Sequence, residues 1–403
     1  MEVKKISLLG HKDHGKSTLI GSMLMQTGAA TKVRIEEAKR YSKKKGKDFE
    51  PAFILDSLVE EREQEMTYDT TRAQMKYKNH AFEFIDVPGH EELIKNMISG
   101  ASYGDVALLM VSALPDEGIK DQTKRHVFLA KMLGIENLIV AVNKMDMVGY
   151  DKKRFTMIKE NLSEFLKRIN FNLDKVEFIP ISAYKGENLT KKSNKIKWYA
   201  GKCLADVLCN ETKEEPKDNK LRVLVQGMLE DKKNMYITGK IISGKLGVKD
   251  EIKAFPSGAV YEVDQIIVKN KKAKTAKSGE NIAIKVEGKI NEAKGSLMFP
   301  KSEKVIPVKE AKSLIFFVRK PGKDITANLY GNKVKCMIKI DKLVETASGR
   351  EVKRGIAKPL EAAHSTIRLE NPMIIEKYDK NRELGRFTLS DENGFFGIGI
   401  REG

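Results

Sequence analysis

The sequence predicts an α/β domain with a mostly parallel sheet at the front of the chain, followed by two all-β barrel domains. Three observations lead there. The first half alternates short apolar runs with helix-length stretches, the pattern of βαβ units. A glycine-containing octapeptide, Gly10–Ser17, falls between the first apolar run and the first helical stretch. Beyond a charged, proline-containing break at Glu211–Asn219, the texture changes to short β-branched runs separated by Gly-rich or Lys-rich turns. That texture is the mark of barrels and sandwiches.

In order along the chain, strands are expected at Lys5–Leu9, Ala81–Asp86, Val106–Ser112, Leu138–Asn143 and Phe178–Ser182. These read as largely apolar runs, as strands covered on both faces should. Helices are expected at Gly15–Thr27, His90–Ser99, Asp121–Leu133 and Lys153–Ile169. In the second half the runs Leu221–Gln226, Tyr236–Ile242, Val260–Val268 and Asn281–Val286 read as barrel strands. The basic cluster Lys269–Lys277 reads as a solvated hairpin. A second break near Phe299–Lys304 precedes another such stretch. The expected domains are therefore 1–213, 219–300 and 304–403, in keeping with 403 residues being too many for one core.

Composition narrows the function. No apolar stretch approaches the length needed to span a bilayer, and the amino terminus runs straight into a strand, so a cytoplasmic protein without a membrane partner is expected. Cys203, Cys209 and Cys336 show no metal-ligand spacing and read as idle thiols. The formal charge of +18 fits either a nucleic-acid or acidic partner, or a general lysine bias, because Lys is scattered without interleaved aromatics.

The chemistry is carried by four short motifs, each at a predicted strand end. Gly10-His11-Lys12-Asp13-His14-Gly15-Lys16-Ser17 matches G-x-x-x-x-G-K-[ST]. Its glycines let the backbone wrap a phosphate, its amides and the helix start bind the negative charge, Lys16 reaches the β- and γ-phosphates, and Ser17 ligates Mg²⁺. Asp86-Val87-Pro88-Gly89-His90 follows: Asp86 can hold Mg²⁺ through a water, and the Gly89 amide can touch the γ-phosphate. In Asn143-Lys144-Met145-Asp146 the Asn amide and Asp carboxylate can pair with guanine, and Ser182-Ala183 can supply a backbone amide to the guanine oxygen. Together these predict GTP/GDP as the ligand.

These residues resemble the translational GTPase superfamily, the group containing elongation factor Tu. The resemblance covers the chain through GHKDHGKST, DVPGH, NKMD and SAYKGENL. It implies that Thr67, in the first switch, closes on Mg²⁺, that His90 orients the attacking water, and that Asp13 is associated with a monovalent cation. It implies a nucleotide-contacting set of His11, Asp13, His14, Gly15, Lys16, Ser17, Thr18, Asp86, Gly89, Asn143, Lys144, Asp146, Ser182, Ala183 and Tyr184. Within the superfamily the chain looks most like the GTPase subunit of sulfate adenylyltransferase, through GKDFEPAFILD, EREQ with TYDTT, GHEELIKNMISGAS, QTKRHVFLAKMLGI, NKMDMVGYDKKRF and KWYAGKCLADVL. That likeness implies a catalytic ATP-sulfurylase subunit as partner. The alternative is an elongation factor 1-alpha/Tu-like factor binding aminoacyl-tRNA or the ribosome, but not DNA. Against it, Ile325–Val344 lacks the G-Y-x-P-V-x-H-x-H stretch expected of an aminoacyl-tRNA carrier.

Two departures from the family pattern stand out. Lys12 replaces a usual Val, and Glu65-Met66 replaces Gly-Ile before Thr67. Lys12 either points to solvent or pairs with Glu65, or it places positive charge near the γ-phosphate in partial substitution for an arginine finger. Hydrolysis by a Lys12→Val variant separates these: slower turnover is expected only of the second, and an unchanged or faster variant excludes it.

Overall fold

The structure, a computed structural model, describes residues 3–44, 46, 48–55, 72–86, 106–211, 219–231, 234–286, 290, 294–353 and 355–403. The chain divides into two compact units, one of residues 1–214 with 344–351, the other of 215–343 with 352–403.

The first unit is built on a six-stranded sheet of order β2-β3-β1-β4-β5-β6. Its strands are β1 (Val3–Gly10), β2 (Arg72–Tyr77), β3 (His80–Asp86), β4 (Val106–Ser112), β5 (Leu138–Asn143) and β6 (Val176–Pro180). All neighbours are parallel except the β2–β3 hairpin. Every residue of β4 and β5 is buried, which is why both read as unbroken apolar runs. The helices are α1 (Lys16–Gln26), α2 (Lys32–Lys44), α3 (Asp121–Met132), α4 (Lys152–Arg168) and α5 (Leu204–Asn210). Asp151 caps α4, its carboxylate accepting from the amides of Lys153 and Arg154. The core joins Leu19, Ile20 and Met23 of α1 to Ile6 and Leu8 of β1, Phe82 and Phe84 of β3, and Leu204 and Leu208 of α5.

The second unit holds two closed antiparallel barrels. The first uses β7 (Arg222–Asp231), β8 (Asn234–Ser243), β10 (Glu251–Phe255), β11 (Val260–Val268), β14 (Asn281–Val286) and β15 (Leu297–Pro300), closed by pairing of β10 with β11. The second uses β16 (Val308–Phe317), β17 (Thr326–Leu329), β18 (Asn332–Glu345), β20 (Glu361–Met373), β21 (Arg386–Asp391) and β22 (Gly394–Arg401), closed by β17 with β18. Alternation of buried and exposed residues along β10 and β16 places one face inward.

Some expectations need correcting. The basic stretch 269–277 is not one hairpin: β12 (Lys271–Ala273) folds back on β11, whereas β13 (Thr275–Lys277) pairs with β9 (Lys245–Gly247). The turn between β11 and β12 places Lys269 and Asn270 at φ 49° and 62°, the left-handed pair a tight hairpin requires. Phe299, expected in a break, lies inside β15 and is buried. The expected helix His90–Ser99 lies outside the described residues. Among the described residues, no helix is long and apolar enough to cross a membrane.

Candidate nucleotide site

Two glycines shape the loop after β1. Gly10 has φ 127°, and a Cβ there would meet the Met110 carbonyl oxygen at 2.5 Å, so β1 ends hard against β4. Gly15 has φ 86°, and its Cβ would meet Asn143 Nδ2 at 2.5 Å. Between them a short 3-10 turn, Lys12–His14, carries the chain into α1. Gly15 sits at the N-cap of α1 with no side chain on the first amides, which leaves them available to an anion. Lys16 is buried and folds back over the loop, its ammonium donating to the carbonyls of Gly10 and His11 at 3.2 Å each. A cradle of amides closed over by an ammonium fits a nucleotide phosphate chain.

Around this loop, Ser17 is half-buried at the second position of α1. His11 Nδ1 accepts from the Asp13 amide and lies 3.5 Å from the Asp13 carboxylate. Lys12 and Asp13 are exposed. The Gly10 amide donates to Nδ1 of His126 on α3, a buried histidine at 3.3 Å.

His14 is completely buried, with Nδ1 2.9 Å from the Met110 carbonyl, so this nitrogen carries the proton. Its Nε2 has no hydrogen-bond partner among the described residues. A second proton would be stranded there, and burial accordingly pushes the His14 pKa down to about 4. In the unfolded chain it returns to about 6.5. Between those values the unfolded state binds the proton and the folded state does not, so stability falls as pH drops from 6.5 toward 4. The expected loss is on the order of 3 kcal/mol. Thermal melts of the nucleotide-free protein against a His14→Asn variant test it, since the variant should lack this part of the acid sensitivity.

Asn143, the last residue of β5, ties two loops together. Its Nδ2 donates to the His14 carbonyl at 2.9 Å, and its Oδ1 accepts from the Ala183 amide at 2.8 Å. Ser22 of α1 donates to the Ala183 carbonyl, so both backbone groups of Ala183 are held. Ser182 forms a two-way bridge with Glu187, and its hydroxyl accepts from the Lys185 amide, which fixes the turn on which Tyr184 is exposed. Lys144 adopts φ 62° and donates to both oxygens of Glu117 at 2.7 Å. Burial raises the Glu117 pKa, but hydrogen bonds from Lys144 and Ser112 outweigh it and leave the carboxylate below its ordinary value. Asp146 is half-buried in the 3-10 turn Met145–Val148 that follows.

The structure thus brings Gly10 to Thr18, Asn143 to Asp146, and Ser182 to Tyr184 together at the carboxyl ends of β1, β5 and β6, where open α/β sheets bind their ligands. Asp86 ends β3, with Leu8 of β1 as its register partner, so its backbone is placed at the same edge. Thr67, Gly89, His90, Glu65 and Met66 lie outside the described residues. Sequence reading assigned Asn143 to the base alone; its buried amide also clips the phosphate loop to the Ala183 turn. His126, Glu117 and Ser22 were missed as supports, and only the histidine of QTKRH offered a signal, being a polar residue amid the apolar face of α3.

A family model for the elongation factor Tu GTP binding domain matches residues 1–231, and one described as GTP-eEF1A C-terminal domain-like matches residues 318–401. Elongation factor 1-alpha of Aeropyrum pernix is 34% identical over 98% of this chain and 94% of its own. The same-named protein of Sulfurisphaera tokodaii is 35% identical, covering 98% and 95%, and that of Methanothrix thermoacetophila 36%, covering 96% and 94%.

Proposed function

The chain belongs to the family of translational GTPases defined by the elongation factor Tu GTP-binding domain, and on that premise we propose a GTP-hydrolysing switch of the elongation factor 1-alpha kind. Its proposed partners are tRNA or the ribosome. The relatives named elongation factor 1-alpha favour this reading, and they offer no support for the sulfate-adenylyltransferase subunit or for an ATP-sulfurylase partner. The positive charge of +18 is consistent with an RNA partner. The proposed working parts are a nucleotide domain at 1–213 and barrels at 219–300 and 304–403.

The observation that carries the reading is the Asn143 clip, which makes the phosphate loop and the base-binding turns one assembly. In that assembly the α1 amides and Lys16 hold the phosphates, while Asp146 and the Ala183 turn select guanine. Ser17 fits a Mg²⁺ ligand by its chemistry and its place: a half-buried hydroxyl residue in the first turn of α1, directly after Lys16, and Asp86 and Thr67 would complete the set. The ion would supply charge neutralisation. Hydrolysis is in-line attack of water on the γ-phosphate, with Lys16 balancing charge on the transferring group and His90 orienting the water. Such chemistry is positioning plus electrostatics, and turnover is expected to be slow until a partner completes the site.

The test is binding of tRNA and of ribosomes to the protein loaded with a non-hydrolysable GTP analogue, measured across salt concentrations. Affinity that falls steeply with salt is expected, because phosphate neutralisation releases counterions. Absence of binding to either at low salt would reject the proposed partners. Equal competition by GDP and ADP for the site would reject the guanine assignment.

A further inference from the structure

Segment 48–55 lies unusually close to α1. A Cβ on Gly21 would fall 1.9 Å from the Pro51 carbonyl oxygen, so only glycine lets this segment rest on the helix. Ile54 and Leu55 are buried in the core beside Leu19 and Ile20, and Phe53 meets Tyr41 of α2 edge-on at 5.6 Å. Held this way, Glu50 is half-buried and its carboxylate accepts from the Thr18 hydroxyl at 3.2 Å. Thr18 is the third residue of α1, directly after Ser17.

The first turn of α1 is where the unpaired amides and the positive end of the helix dipole attract negative charge. A carboxylate docked there satisfies that field in part. A diphosphate arriving at the same helix end meets a like charge. We propose that Glu50 sets nucleotide affinity: its carboxylate, fixed on Thr18 by the Gly21–Pro51 approach, opposes the bound phosphates and speeds release of GDP. This rests on the reading that the α1 amino end receives the diphosphate.

The experiment is stopped-flow association and release of a fluorescent GDP on the full chain, comparing native protein with Glu50→Gln and Glu50→Ala at low and high salt. Glutamine keeps an acceptor for Thr18 and removes only the charge. Both variants are expected to release GDP about three- to tenfold more slowly than native protein at low salt. The difference should shrink at high salt, where the charge is screened. Native release rates in Glu50→Gln would overturn the proposal, and so would a change confined to Glu50→Ala, which would make Glu50 an anchor for the segment. Failure of the native protein to bind GDP at all would instead remove the nucleotide reading on which the proposal stands.

Discussion

Asn143→Ala is expected to weaken GDP and GTP binding by about 2–4 kcal/mol, roughly thirty- to a thousandfold. The alanine would strand two buried groups, the His14 carbonyl and the Ala183 amide, each costing about 1–3 kcal/mol when left without a partner. Part of that cost falls on the fold. The rest falls on binding, because the phosphate loop and the Ala183 turn no longer hold each other in the competent arrangement. The nucleotide must then select it from a wider set, and its apparent affinity drops by the competent fraction. Asn143→Asp is the informative companion. A carboxylate can still accept from Ala183 but cannot donate to His14, and it sets negative charge against a carbonyl, so binding at least as weak as in the alanine variant is expected. Calorimetric titration with GDP would measure both. A loss below about fivefold in either would show that the loops are held by other contacts.

Arg222→Ala is expected to destabilise the barrel unit by about 3–5 kcal/mol. The Arg222 side chain is only 3% exposed; it makes paired bonds of 2.7 and 2.9 Å to Glu303 and one of 2.6 Å to Glu376. Glu303 follows β15 and Glu376 follows β20, so the guanidinium fastens one barrel to the other beside a shared apolar cluster of Ile242, Leu297, Phe299, Ile374 and Leu384. Removing it takes the guanidinium from two mostly buried carboxylates, leaving Glu303 to Lys220, whose ammonium lies 3.3 Å away. The guanidinium, through its hydrogen bonds, holds the Glu303 carboxyl below its ordinary value, so its contribution is fully present above pH 4.5 and is lost as pH falls through the lowered value. Replacing all three residues by apolar ones of similar volume should restore most of the lost stability, since the attraction largely offsets the cost of desolvating the charges. Denaturant unfolding followed by circular dichroism distinguishes the cases. A shift under 1 kcal/mol for Arg222→Ala would mean that water replaces the guanidinium at little cost.

Most of the first unit was legible because its signals are contiguous. A short continuous apolar run such as Val106–Ser112 suits a strand covered on both faces, and the pattern expected of a phosphate loop lies within eight contiguous residues. β2 was missed because Arg72–Tyr77 alternates polar and apolar residues as an edge strand does, with only one face needing cover. The second function of Asn143 was illegible for a different reason: its partners lie 129 and 40 residues away along the chain. The same holds for Arg222, whose carboxylates are 81 and 154 residues distant. Glu50 stands in GKDFEPAFILD, 32 residues from Thr18, and nothing in that stretch signals the contact between them. The relatives named elongation factor 1-alpha favour the alternative over the sulfate-adenylyltransferase likeness that such stretches suggested.

Closure of the two barrels has a consequence for how this chain behaves among copies of itself. Pairing of β10 with β11 and of β17 with β18 closes each ring, so among the described residues the strands of this half that stand outside the rings are all short. They are β9, β12, β13 and β19 (Arg350–Val352), each three residues long, with Lys245 on β9, Lys271 and Lys272 on β12, Lys277 on β13, and Arg350 and Glu351 on β19. Such edges are too short and too charged to template a neighbour. Two molecules meeting through these described edges in a crowded solution therefore find little to extend, and concentration alone gives this half of the protein little purchase for fibre growth.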